Sequence, residues 1–120
     1  MANQKVHFIV DLTIHEGKLA NFESTVETMV AGTEKESGAL GYDFFLSKDR
    51  KQCRIIETYA DANAAFAHVS GSVVSALVPK MLENSTLTSF KVYGDPGPQA
   101  SEILAKVGAE ISARWHGLSR

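Results

Sequence analysis

One cysteine, three prolines and no long apolar run mark this 120-residue chain, and each scarcity narrows what it can be. Cys53 alone cannot close an intrachain disulfide, and no cluster of thiols and imidazoles has the spacing of a structural zinc site. A reducing compartment fits. The wholly apolar stretches are a few residues long, far short of the roughly 20 that a membrane helix needs. Met1-Ala2-Asn3-Gln4-Lys5 leads into a segment carrying His7, Asp11 and His15, too polar for a signal-peptide core, so the expected location is the cytoplasm. Basic charge is also missing. Twelve Lys and Arg stand against fourteen Asp and Glu, for a formal net charge of −2. A nucleic-acid partner would call for a basic face that neutralises phosphates, and none is expected here. Asp95-Pro96-Gly97-Pro98 lacks the Gly-rich strand-to-helix fingerprint and the Lys of a phosphate loop; it reads as a turn. What remains is 44% hydrophobic, enough for one domain with a single self-sufficient core.

From Lys5 to Ile14 the residues Val6, Phe8, Val10, Leu12 and Ile14 occupy every second position, the period of a strand. After Glu16-Gly17 the apolar set becomes Leu19, Phe22, Val26, Met29, Val30 and Thr33, one face of a helix spanning Lys18 to Ser37 and closed by Gly38. Glu23, Glu27, Glu34, Lys35 and Glu36 fall mostly outside that stripe. Leu40 to Ser47 and Gln52 to Ala60 form a hairpin around the polar Lys48-Asp49-Arg50-Lys51. Asp61 is placed to cap a second helix, interrupted at Ser70-Gly71-Ser72 and resumed through Val73, Val74, Leu77 and Met81, with Pro79 kinking its end or opening a new turn. Thr86 to Tyr93 is the last clear strand. The order is βαββαβ: an α+β, ferredoxin-like unit with a four-stranded antiparallel sheet and two helices on one face.

The other face of such a sheet is left bare by the chain's own helices. Ile9, Phe45, Ile56 and either Leu87 or Phe90 are expected on it, which calls for a second copy to cover it and for a homodimer. Residues 1–95 account for the unit. Residues 96–120 are an extension: a short helix from Pro98 holding Ile103, Leu104 and Val107, then an alternating arm through Ile111 and Trp115, packed on the same domain or on the partner.

Thr33, Glu36, Gly38 and Tyr42, followed by Glu57, Tyr59, Asp61, Phe66 and His68, carry a family pattern. The run Thr-x-x-Glu-x-Gly-x-x-x-Tyr, then Glu-x-Tyr-x-Asp-x-x-x-x-Phe-x-His, resembles the antibiotic biosynthesis monooxygenase family of dimeric α/β barrels. The resemblance covers residues 5 to 93 and is sharpest from 33 to 70. It implies a homodimer whose subunits each hold a pocket between sheet and helices, and in several members oxidation of phenolic or polycyclic aromatic substrates by molecular oxygen without bound metal or flavin. The haem-degrading branch is a poor match. It carries a Trp near the place of His68 and a ligating His where this chain reads Ala76-Leu77-Val78-Pro79.

His68 leads the catalytic candidates, because an imidazole titrates near neutral pH and can take a phenolic proton; the anion that results is electron-rich enough to reduce oxygen. At 100° per residue, however, Phe66, Val69, Val73 and Leu77 form one stripe and His68 lies almost opposite, facing solvent or the partner if the helix is straight, while the break at Gly71 leaves room for a different orientation. Glu57, a carboxylate in mid-strand, is a candidate pocket acid or orienter of His68, or else one side of a salt bridge across the dimer to Arg54 or Arg114. Tyr59 and Tyr42 are candidate donors to a developing oxyanion. Tyr42, Phe44, Phe66, Met81 and Phe90 would wall an aromatic-binding pocket. No metal site is expected: at about 3.3 Å per residue, His7 and His15 lie some 26 Å apart. Three functions fit: a cofactor-independent monooxygenase of small hydroxylated aromatics or quinols, a non-oxidative cyclase or isomerase, and a non-catalytic dimer that binds a small ligand.

Overall fold

The computed structural model describes residues 4–120; Met1 to Asn3, which open the expected 1–95 unit, lie outside the described residues. The elements are β1 (Val6–Ile14), α1 (Leu19–Glu34), β2 (Ala39–Leu46), β3 (Gln52–Tyr59), α2 (Ala62–Val69), α3 (Ser72–Glu83), β4 (Ser85–Tyr93), α4 (Gly97–Lys106) and β5 (Glu110–Ser112). The strands lie in the order β2-β3-β1-β4-β5. All neighbours are antiparallel except β4 and β5, so the expected four-stranded sheet gains a short parallel fifth strand from the C-terminal arm.

The period-two pattern of β1 puts Val6, Phe8, Val10, Leu12 and Ile14 under the helices, all buried. Each such side chain contributes about 1.5–3 kcal/mol by leaving water. Phe22, Met29 and Thr33 of α1 are buried, whereas Val30, expected in the same stripe, is exposed. Helix α3 runs through Pro79 to Glu83 and does not stop there.

One irregularity decides what each face carries. The β1–β4 register shifts between Asp11 and Leu12, so that Leu87 pairs with Leu12 and Phe90 with Val10. Three residues apart, Leu87 and Phe90 would point to opposite faces of a regular strand. The extra residue of the bulge turns both inward. This corrects the expectation that one of them reaches the outer face. That face carries half-buried Ile9 with exposed Ile56, Phe45 and Tyr93, interleaved with polar pairs. Arg54 Nε and Nη2 donate to the two Asp11 carboxylate oxygens at 2.7 and 2.9 Å, and His7 Nδ1 lies 3.0 Å from Thr58 Oγ1.

The extension is not a separate unit. Ala100 and Leu104 of α4 belong to the same core as β1, and α4 packs on α2. Beyond β5 the chain is exposed, with Trp115 at 88% accessibility. No single helix among the described residues is long and apolar enough to cross a membrane.

Candidate active site

A cavity of about 130 Å³ lies between the sheet and the helices. Phe8, Val10, Ile55, Leu87 and Phe90 line it from the sheet, Met29, Val69, Val74, Val78 and Met81 from α1, α2 and α3, and Ile103, Leu104 and Val107 from the C-terminal extension. Leu82 and Val107 are its exposed residues. Three polar side chains break the apolar wall: Tyr42, Glu57 and His68.

His68 arrives there because α2 is short and capped. The Asp61 side chain accepts from Ala64 N at 2.8 Å, and Ala65 and His68, one turn apart, are the buried residues of the helix. Between α2 and α3 the axis bends by 56°. A stripe drawn through Phe66, Val69, Val73 and Leu77 assumes one straight helix; the bend breaks it, and His68 is only 3% exposed. The solvent-facing orientation that a straight helix implies is thereby corrected. Burial lowers the His68 pKa, with a partial opposing effect from Glu36, so the ring is neutral at neutral pH.

Glu57 occupies an inward position of β3, paired with Phe8 on one side and Tyr42 on the other. The Tyr59 hydroxyl donates to Glu57 Oε1 at 2.5 Å. Desolvation pushes the Glu57 pKa up to about 7, the Tyr59 bond opposing and the charge of Glu36 adding. Within the chain Glu57 meets neither arginine: Arg54 is on the opposite face with Asp11, and Arg114 is exposed in the arm. Burial and the nearby Glu57 raise Tyr42 and Tyr59 far above the ordinary tyrosine value, which keeps both protonated.

Glu36 completes the group. His68 Nδ1 lies 2.9 Å from Glu36 Oε1, while His68 Nε2 is 3.7 Å from Glu57 Oε1, too long for a hydrogen bond. The contact depends on Gly38. A Cβ there would sit 2.4 Å from the Cβ of Ala64, so only glycine lets the α1–β2 turn come down onto α2. The Tyr59 and Tyr42 rings flank the imidazole at centroid distances of 5.1 and 5.3 Å. Glu36 was in the sequence pattern but had no role from spacing; the Glu-x-Gly pair ahead of Tyr42 is the signal that points to it.

The structure thus gathers His68, Glu57, Tyr59 and Tyr42, and sets Met81 and Phe90 in the cavity wall. Tyr59 does not line the cavity itself and touches it through Glu57, His68 and Phe8, which do. Phe44 and Phe66 do not line it. Phe44, two residues beyond Tyr42 on the strand, packs edge-on against that ring at 5.2 Å. Phe66 precedes His68 by two residues, about 200° around the helix, and packs on the core away from the cavity. Cys53 is buried with its thiol pushed up to about 11, which removes it as a nucleophile at neutral pH. Among the described residues no three His, Cys, Asp or Glu side chains are grouped to hold a metal ion.

A ferredoxin-like sheet under helices, enclosing an apolar cavity that carries acid–base side chains, defines the class: an α+β, ferredoxin-like protein. Residues 6–80 match the family model for antibiotic biosynthesis monooxygenases, and the chain belongs to that family. Its fold is similar to that of MupZ from Pseudomonas fluorescens, with a TM-score of 0.82 and 21% identity over 98% of this chain and 96% of that one. It is also similar to SnoaB, a cofactor-independent oxygenase from Streptomyces nogalater (TM-score 0.68, 18% identity, 79% of this chain and 96% of that one). Rv0793 from Mycobacterium tuberculosis gives 0.69 and 18%, over 79% of this chain and 98% of that one. No curated protein matches the chain significantly in sequence.

Proposed function

We propose that the protein is a cofactor-independent monooxygenase acting on a small hydroxylated aromatic or quinol-like compound, and that it works as a homodimer. The observation that carries the reading is a buried, neutral His68 lining an apolar cavity, its Nε2 without a hydrogen-bond partner among the described residues. A phenolic O–H entering the cavity gives its proton to Nε2. The phenolate left behind passes an electron to oxygen, and the radical pair recombines to a peroxide. The peroxide takes a proton, the hydrogen on the same ring carbon is lost as a proton as the O–O bond breaks, and a carbonyl oxygen stays on the ring while the released hydroxide takes a proton and leaves as water. Tyr42, protonated and in the wall, is the donor that faces the developing oxyanion. Family membership and the oxygenase activity named for SnoaB support the reading. An engineered cavity of about 150 Å³ in another protein holds one benzene ring. A space of about 130 Å³ therefore suits a single reacting ring, with any larger framework extending past Leu82 and Val107.

Oxygen uptake over a panel of hydroquinones, substituted phenols and anthrones tests this. Uptake is expected with the wild type and should fall about a hundredfold or more in His68→Ala; a panel that consumes no oxygen sinks the proposal. Glu57 supports a second reading. A carboxyl group near pKa 7 beside an imidazole supplies both acid and base at neutral pH, which suits a non-oxidative isomerisation or cyclisation. Turnover that persists under nitrogen selects it.

A further inference from the structure

Both ring nitrogens of His68 face carboxyl groups, yet the two sides differ. On the Nδ1 side Glu36 is at hydrogen-bond distance, and its side chain is 24% exposed. On the Nε2 side Glu57 is at 3.7 Å and fully enclosed. A carboxylate only accepts, so the hydrogen bond to Glu36 requires the proton of the neutral ring on Nδ1. That assignment leaves Nε2 as the lone pair exposed to the cavity. With a substrate seated, the route from the imidazole to water runs through Glu36.

We propose that Glu36 is a positioning residue and proton port: it holds His68 in the Nδ1–H tautomer and passes protons between that ring and bulk water. When Nε2 takes a substrate proton, the Nδ1 proton moves onto the Glu36 carboxylate and from there to solvent, so the ring returns to neutrality with its single proton on Nε2. Exchange of that proton through water restores the starting tautomer once the cavity empties. The inference rests on reading the cavity as a proton-transfer site, but not on oxygen chemistry.

The test is read without any substrate. Long-range nitrogen–proton spectra of the ¹⁵N-labelled protein at neutral pH report the tautomer of each histidine, and His7, His15 and His116 serve as controls for the fold. His68 of the wild type is expected to carry its proton on Nδ1. In Glu36→Gln that preference is lost, or exchange of the ring proton with water slows by about tenfold, since an amide cannot relay a proton. Glu36→Ala opens a solvent-facing space, and formate added at tens of millimolar should restore the wild-type exchange rate. A wild-type proton on Nε2 overturns the assignment. So do a tautomer and exchange rate that neither Glu36→Gln nor Glu36→Ala moves. A panel that consumes no oxygen sinks the oxygenase reading and leaves this result standing.

Discussion

Glu57 is the residue at which the cost of the site is largest. A carboxyl with no compensating cation among the described residues is held neutral by its own burial, and its pKa moves from 4.5 to about 7. The sign follows from proton linkage. Between those values the folded state binds the proton more tightly than the unfolded state, so the contribution of Glu57 is fully present below about pH 4.5 and is lost as pH rises through about 7. The shift is worth about 3 kcal/mol at about 1.4 kcal/mol per unit. Glu57→Gln keeps the acceptor for Tyr59 and has no charge to bury. It should match the wild type in urea at about pH 4.5 and exceed it by about 3 kcal/mol at about pH 8. His68, whose pKa is lowered, acts in the opposite sense as pH falls below its ordinary value, but it is present in both proteins and cancels in the comparison. A difference that does not change with pH would mean that Glu57 is ionised throughout. The carboxylate was conspicuous in the sequence because an apolar strand has little reason to carry one. Its partners were less legible: Tyr59 is a near neighbour on the same strand face, whereas Glu36 and His68 meet across 32 positions of chain.

At the scale of elements, the site depends on how closely two turns approach α2. Asp61 starts the helix with an ordinary cap, and Asp61→Ala should cost about 1 kcal/mol. Gly38→Ala is a different kind of change. The new methyl would overlap Ala64, and relief requires α2 to back away from the α1–β2 turn, separating Glu36 from His68. The expected cost is about 1–3 kcal/mol in urea unfolding, on the scale of overpacked cores. A Gly38→Ala variant as stable as the wild type would show that the turn has slack. The elements themselves were readable because their signals are local: alternation in β1, the cap at Asp61, the glycines after α1 and at the α2–α3 break. Two features were not. The parity of Leu87 and Phe90 depends on a bulge formed with β1, more than 70 positions away, where Thr88 Oγ1 donates to the Asp11 carbonyl at 3.1 Å. The direction of His68 depends on a bend of 56° whose presence Ser70-Gly71-Ser72 announced but whose angle it did not.

For the whole molecule, the bulge changes the case for a partner. With Leu87 and Phe90 turned inward, the outer sheet face is less apolar than the strand pattern implied, and it carries the Asp11–Arg54 ion pair in its middle. Ile9, Ile56, Phe45 and Tyr93 still place apolar groups there, with Phe45 52% and Ile56 37% exposed. Side chains of this size left on a sheet face favour sheet-on-sheet contact between two copies. If that face closes the proposed homodimer, light scattering at micromolar concentration gives twice the 13.0 kDa chain mass. A charge placed among these groups should separate the copies, because an unpaired ammonium buried in an interface costs several kcal/mol. Phe45→Lys and Ile56→Lys are therefore expected to shift the particle to a single chain without loss of helix or sheet signal by circular dichroism. Val30→Lys, a substitution of comparable exposure on α1, should leave the dimer intact. Wild-type protein that scatters as one chain would overturn the homodimer, whereas outer-face variants that stay paired would assign the closing surface elsewhere, with the exposed Trp115 and Leu118 of the arm as the next surface to probe.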